Sequence, residues 1–180
     1  YPIRVTIMKD EVTVGIDTSG ESLHKRGYRK LASKAPLTET LAAALLMLTP
    51  WKWDRILVDP FCGSGTIPIE AAMLGLNMAP GRKRSFLAEQ WDNLPAAKFF
   101  AREEAEDMVV RDRTLSIQGY DIDRDIIPAA RQNAILAGVD GQIHFQVKPV
   151  KELSSPKKYG FILTNPPYGE RMEEKAAMPG

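Results

Sequence analysis

Asp59-Pro60-Phe61-Cys62-Gly63-Ser64-Gly65-Thr66 is the stretch that decides the fold. A short apolar run, Ile56-Leu57-Val58, precedes it, and an apolar, helix-compatible run from Ile67 to Leu74 follows. Strand, tight glycine turn and helix, in that order, let a backbone pass close beneath a nucleotide-like ligand. Gly63 and Gly65 lack the Cβ that would hold such a ligand away, and they tolerate the positive φ that the turn needs. The helix behind the turn aims free N–H groups and its positive dipole end at the loop, where a carboxylate or phosphate can sit. Asp59, at the carboxyl end of the strand, can accept a hydrogen bond from a ligand donor such as an amino group. A Gly-x-Gly alone is equally an ordinary strand-to-helix turn. Asn165-Pro166-Pro167-Tyr168, near the other end of the chain, is what gives this one weight.

Around these stretches the chain alternates strands and helices. Ile117 lies in a second strand, Leu115 to Tyr120, ending at Asp121-Ile122-Asp123; Asp123 is placed to cap a helix from Arg124 to Ala137 that Gly138 stops. Ile143 to Val147 reads as strand three and Tyr159 to Thr164 as strand four, running into Asn165. Such alternation predicts an α/β fold with a parallel, Rossmann-like sheet of order 3-2-1-4. The carboxyl ends of strands one, two and four then gather Asp59, the glycine loop, Asp121 and Asn165 at one edge, where ligands bind in this class of fold. An acid at the tip of the second strand suits a ribose, which places Asp121 on the hydroxyls with Ile122 against an adenine face. A nicotinamide-binding domain fits poorly: its Gly-x-Gly-x-x-Gly needs glycine where Pro68 stands, and its acid follows sooner.

The remaining segments are less specific. Ile3 to Ile7 and Val12 to Ile16 alternate apolar with polar or small residues around Lys9-Asp10, a hairpin pattern. Asp17 to Lys34 is polar and basic, with Lys25, Arg26 and Arg29 close together; it reads as a solvated loop or as a phosphate-contacting arm. Pro36 to Leu48 reads as a helix whose core face is Leu37, Leu41, Ala44, Leu45 and Leu48. Glu70, one turn into the apolar helix, either steadies the glycine loop or faces solvent. Arg82-Lys83-Arg84 beside Phe86 has the composition of an RNA contact or of an exposed loop. Leu94 to Arg113 reads as a charged amphipathic surface helix.

With 180 residues, 44% hydrophobic and 26% charged, the chain has the composition of one globular domain. A net charge of +1 leaves any nucleic-acid role to local basic patches. One cysteine, Cys62, excludes an internal disulfide framework and suits a reducing cytosol. No Cys/His cluster has zinc spacing, so no metal is expected. The longest apolar run, Leu41 to Leu48, is too short to span a bilayer, and no signal peptide opens the chain. A cytoplasmic protein without a membrane partner is expected.

Asn-Pro-Pro-Tyr carries the chemistry. An aromatic exocyclic amine is a poor nucleophile because its lone pair is delocalised into the ring. The carboxamide oxygen of Asn165 and the backbone carbonyl of Pro166 can accept its two N–H bonds and localise that pair toward an incoming carbon. Neither proline has an N–H to compete, and both fix φ. Tyr168 can stack on a base swung out of its helix. With a sulfonium methyl donor, positioning and fixed dipoles lower the barrier without covalent or metal chemistry. The alternative is a proline-rich turn that merely closes a strand.

These motifs resemble the class I S-adenosylmethionine-dependent methyltransferases, and more narrowly the THUMP-containing RNA methylases that modify guanine N2 in 23S ribosomal RNA. The similar stretches are Asp17 to Arg29, Ala35-Pro36-Leu37, Asp59 to Ala72, Gly119 to Asp123 and Asn165 to Arg171. The resemblance implies S-adenosylmethionine held by Pro36, Leu37, Asp59, Phe61, Cys62, Gly63, Ser64, Gly65, Thr66, Asp121 and Ile122. It implies catalysis by Asn165, Pro166 and Tyr168, and 23S ribosomal RNA as partner through Lys25, Arg26, Arg29, Arg82, Lys83 and Arg84. Residues 1–18 would be the tail of a THUMP-type region, 19–54 a basic linker and helix, and 55–180 a methyltransferase domain lacking its remaining strands. Two departures stand out: Lys148-Pro149-Val150 replaces the acid that many class I enzymes carry after strand three, and the chain stops soon after Asn-Pro-Pro-Tyr. Adenine N6, a protein glutamine amide, or a non-catalytic fragment that binds RNA or cofactor are the other readings of the same residues.

Overall fold

The computed structural model describes residues 1–30, 37–94, 97–155 and 158–167. Pro36 and Tyr168 lie outside the described residues. The chain opens with a hairpin, β1 (Ile3–Met8) and β2 (Glu11–Ile16), paired antiparallel with Ile3 opposite Ile16 and Ile7 opposite Val12. Lys9 and Asp10 both take positive φ, 49° and 65°, the conformation of a tight two-residue hairpin turn. One face of the ribbon therefore carries Ile3, Val5, Ile7, Val12, Val14 and Ile16, all exposed.

The main body is a four-stranded parallel sheet in the order β5-β4-β3-β6, formed by β3 (Leu57–Asp59), β4 (Ile117–Asp121), β5 (Ile143–Val147) and β6 (Phe161–Ile162). This is the order expected for the four strands that alternate with helices. Leu57 pairs with both Ile117 and Phe161, so β3 sits between its partners with all three residues buried. Helix α2 (Thr66–Gly75) is apolar nearly all round because it is enclosed by the sheet, by α1 (Glu39–Leu48) and by α4 (Ile126–Ala137). Helix α3 (Ala97–Asp107) is shorter than the charge pattern predicted.

Two local expectations are corrected. The buried side of α1 is Glu39, Ala42 and Leu46, while Leu41 and Leu48 face solvent, Leu48 at 83% exposure. The leucines satisfy helical spacing on two different stripes, and the stripe that α2 covers is the other one. Gly75 is the last residue of α2, where a Cβ would meet Leu115 Cδ1 at 2.9 Å, and the left-handed residue that ends the turn is Asn77, φ 55°. Asp123 does not cap α4 directly. The helix starts at Ile126 after Asp125, whose N–H donates to Asp123 Oδ1 at 2.9 Å, one turn earlier in the loop.

Gly119 in β4 is closely approached: a Cβ there would lie 2.6 Å from the Phe145 ring and 3.3 Å from Cys62 Cβ. Gly119→Ala should therefore destabilise the chain by about 2 kcal/mol or more, because ring, strand and glycine loop must all move. Urea unfolding measures this, and an unchanged midpoint would contradict the packing described.

Candidate active site

The loop 60–65 leaves β3 and is pinned to the next strand. Cys62 N–H donates to the Tyr120 carbonyl at 2.8 Å and Gly63 N–H to Asp121 Oδ2 at 3.0 Å. Gly63 (φ 52°) and Gly65 (φ 87°) both adopt the left-handed region, as the strand-to-helix turn requires. A Cβ on Gly65 would meet Phe145 at 3.0 Å and Ala130 at 3.2 Å, whereas one on Gly63 would project into open space. Ser64 is buried, and its carbonyl accepts from Asn133 Nδ2 at 3.1 Å on α4. The Cys62 side chain is buried beneath the loop, where desolvation pushes its thiol up, so it packs and is no nucleophile. Thr66 and Ile67 open α2, and the first-turn N–H groups of a helix have no intrahelical acceptor.

Asp121 is half-buried at the tip of β4; its Oδ1 takes the N–H of Asp123 at 2.9 Å. Ile122 beside it is 59% exposed, an apolar side chain held open at the sheet edge. A carboxylate, an open glycine turn and an exposed aliphatic at one edge fit a nucleoside: hydroxyls to the acid, ring against Ile122. The segment after β5 supplies no acid there. Lys148 lies with its Nζ 5.5 Å from the Tyr120 ring centre, and Glu152 is exposed.

Asp59 departs from the expected free acceptor. It is 2% exposed, and its Oδ1 takes the Phe61 N–H at 3.2 Å and the Thr164 hydroxyl at 2.6 Å. Burial pushes its carboxyl up to about 7, the hydrogen bonds from Thr164 and Phe61 opposing that shift. Thr164, unnoticed in the sequence, therefore ties the glycine loop to the residue before Asn165. Asn165 is half-buried and Pro166 and Pro167 exposed, at the end of β6. Leu37 is half-buried just before α1, and its carbonyl accepts from Arg29 at 3.0 Å.

The basic residues divide. Arg26, Arg29 and Arg84, expected as phosphate contacts, are spent inside the chain. Arg26 pairs with the buried Glu70 at 3.5 Å, which also accepts from Tyr28 Oη at 2.9 Å. Glu70 is thus not solvated: it anchors the basic arm on α2. Arg29 pairs with the buried Glu39 of α1. Arg84, 9% exposed, donates to the carbonyls of Ser19, Glu21, Ser22 and Lys25 and lies 5.0 Å from the Phe86 ring centre. An irregular arm has no ladder to satisfy its carbonyls, and this guanidinium does it instead. Arg82 pairs with Glu106 at 2.6 Å. Lys25, in an exposed pair with Glu21, and Lys83 remain on the surface, in a cleft of about 750 Å³ between the arm, residues 83–85 and the start of α1. Two basic runs that are far apart in sequence thus form one surface.

A family model described as "RMKL-like, methyltransferase domain" matches residues 26–179. The chain belongs to this family. Among RMKL-like relatives, YpsC of Bacillus subtilis is 45% identical over 179 residues, 99% of this chain and 46% of that protein. Ribosomal RNA large subunit methyltransferase K/L of Psychromonas ingrahamii is 40% identical over 178 residues, 92% of this chain and 23% of that protein. The chain spans less than half the length of these curated relatives. A Listeria monocytogenes structure, described as a predicted N6-adenine-specific DNA methylase, superposes at TM-score 0.90 with 51% identity over 97% of this chain and 46% of its own. SMU.472, solved in complex with SAH, superposes at 0.85 with 41% identity over 94% of this chain and 44% of its own. Among the described residues no group of side chains has the makings of a metal site, and no helix is long and apolar enough to cross a membrane.

Two measurements test this geometry. Free Asp59 releases its proton near 3.8, whereas the buried one holds it to about 7. Between those values the native state binds more protons than the unfolded one, so this group lowers stability as pH rises. Asp59→Asn, which keeps both hydrogen-bond acceptances, should gain stability relative to the parent by on the order of 3 kcal/mol between pH 4 and pH 8. Denaturant titrations at both pH values check the sign. Arg84→Ala should cost about 2–4 kcal/mol by leaving its carbonyls unpaired, while Lys83→Ala should stay within about 0.5 kcal/mol of the parent; thermal melts compare the two.

Proposed function

We propose that this chain is the donor-binding and catalytic part of an S-adenosylmethionine-dependent RNA methyltransferase acting on an exocyclic amine, with N2 of a guanine in 23S ribosomal RNA as its target. The observation that carries it is the placement of Asn165-Pro166-Pro167 at the end of β6, tied by Thr164 to the glycine loop at the end of β3. Methyltransfer needs a donor site and an amine clamp held side by side, and adjacent parallel strands hold them so. The SAH in SMU.472 and the ribosomal substrate in the name of the K/L relative support donor and acceptor respectively.

In this scheme the donor supplies an electrophilic methyl group on a sulfonium. Asp121 would take the ribose hydroxyls, Ile122 would cover one face of the adenine, and the turn from Phe61 to Thr66 would border the methionine end, to which Pro36 and Leu37 are assigned as well. Asn165 Oδ1 and the Pro166 carbonyl accept the two N–H bonds of the target amine and direct its lone pair toward the methyl carbon. Tyr168 stacks on the extruded base. As the C–N bond formed, the sulfonium C–S bond would break with its electron pair left on the sulfur of the departing thioether, and the amine would release one proton to solvent. Lys25 and Lys83 lie where RNA phosphate would pass, with Arg82 at the margin. The hairpin at 1–18 would connect this unit to a THUMP-type region.

A second acceptor, adenine N6, is favoured by the name of the Listeria structure, since it offers the same sp2 amine. Asn165→Ala in the full-length protein should lower methyl transfer from labelled donor to deproteinised 23S ribosomal RNA by at least about 100-fold with SAH affinity retained. Undiminished transfer would remove Asn165 from the chemistry. Nuclease digestion of the product to nucleosides separates N2-methylguanosine from N6-methyladenosine.

A further inference from the structure

The backbone ladder between β3 and β6 is short. Phe161 N–H donates to the Ile56 carbonyl at 2.9 Å and Leu163 N–H to Val58 at 3.1 Å, and there it ends, because the next residues turn into Asn165-Pro166-Pro167. Prolines cannot extend a ladder. One residue beyond the last backbone bond, the Thr164 hydroxyl donates to Asp59 Oδ1 at 2.6 Å, a contact between positions 105 residues apart in the chain. The same oxygen takes the N–H of Phe61, the second residue of the glycine loop. A single carboxylate oxygen, 2% exposed as a residue, thus joins the loop at the end of one strand to the residue before the amine clamp at the end of its neighbour.

We propose that Asp59 and Thr164 are a positioning pair that sets the distance between the donor loop and the Asn165 amine clamp, Asp59 touching neither cofactor nor acceptor. This rests on the methyltransferase reading of the site and deepens it. A carboxyl that is buried and already shared by two donors on its inner oxygen is suited to fixing backbone, and Thr164 places its neighbour Asn165 with no ladder bond to help. Reaction between two bound groups is steep in their separation, so releasing the tie should lower turnover while leaving each separate site able to bind.

The test is a set of variants in the full-length protein, assayed with labelled S-adenosylmethionine and deproteinised 23S ribosomal RNA, with SAH affinity measured by calorimetry. Thr164→Val removes the hydroxyl and keeps the shape. Its kcat should fall about 10- to 100-fold, with SAH affinity within about threefold of the parent. Thr164→Ser restores the hydroxyl and should recover most of the rate. Asp59→Asn keeps an acceptor for both donors but loses the carboxylate, and should lower kcat by less than Thr164→Val does, with the KM for S-adenosylmethionine within about threefold of the parent. If Thr164→Val folds poorly, the KM of Asp59→Asn for S-adenosylmethionine still tests whether Asp59 touches the cofactor. A Thr164→Val enzyme with parental kcat, a Thr164→Ser enzyme as slow as the valine variant, or an Asp59→Asn enzyme with a sharply raised KM for S-adenosylmethionine would each overturn the pairing; the last would make Asp59 a cofactor ligand. Failure of the methyltransferase reading itself looks different: no variant, Asn165→Ala included, would then alter the rate of any transfer to RNA.

Discussion

Everything at the sheet edge depends on how the glycine loop is tied to the strands on either side of it. On one side Gly63 N–H reaches Asp121 at 3.0 Å, and on the other the buried Asp59 at the root of the loop takes the Thr164 hydroxyl at 2.6 Å. Parallel strands bring their carboxyl ends together but leave the loops that follow free to diverge. These two side-chain bonds continue the register of the sheet past its last backbone pairs. Asp121, the glycine loop and the segment leading to Asn165 are thereby held as one surface, which a bare Rossmann-like sheet does not guarantee.

A second set of bonds serves the arm that crosses the surface before α1. Arg84 donates to carbonyls of the irregular arm, while Arg26 and Arg29 pair with the carboxylates buried on α2 and α1. Guanidinium is suited to this because it presents five donors in a rigid fork and stays charged. The arrangement removes three cations from the surface expected to meet RNA and leaves Lys25 and Lys83 on it. A basic run in sequence thus becomes partly a structural device and partly an exposed surface.

Much of the fold was legible because its signals are local. Apolar runs broken by glycine turns marked β3, β4 and β5, and strict alternation marked the hairpin, whose Lys9-Asp10 turn adopts the expected positive φ. The acid at the tip of β4 and Asn-Pro-Pro after β6 were readable as chemistry because carboxylate, carboxamide and imino acids do distinctive things wherever they stand. Less legible were facts that depend on what an element packs against. The buried stripe of α1 was misassigned, since Leu41 and Ala42 both satisfy helical periodicity and only the position of α2 selects between them. Glu70 and Asp59 looked available as charges but are buried, which no single-residue property announces.

Sequence alone determined the order of strands and helices and the class of fold, because periodicity is written along the chain. Tertiary structure alone decided which polar groups are free to act. Asp59 and Thr164, and Arg84 and the carbonyls of residues 19–25, meet across more than fifty positions. Whether a charge serves a ligand or the fold is set by desolvation and by partners brought from elsewhere in the chain, and those exist only once it has folded.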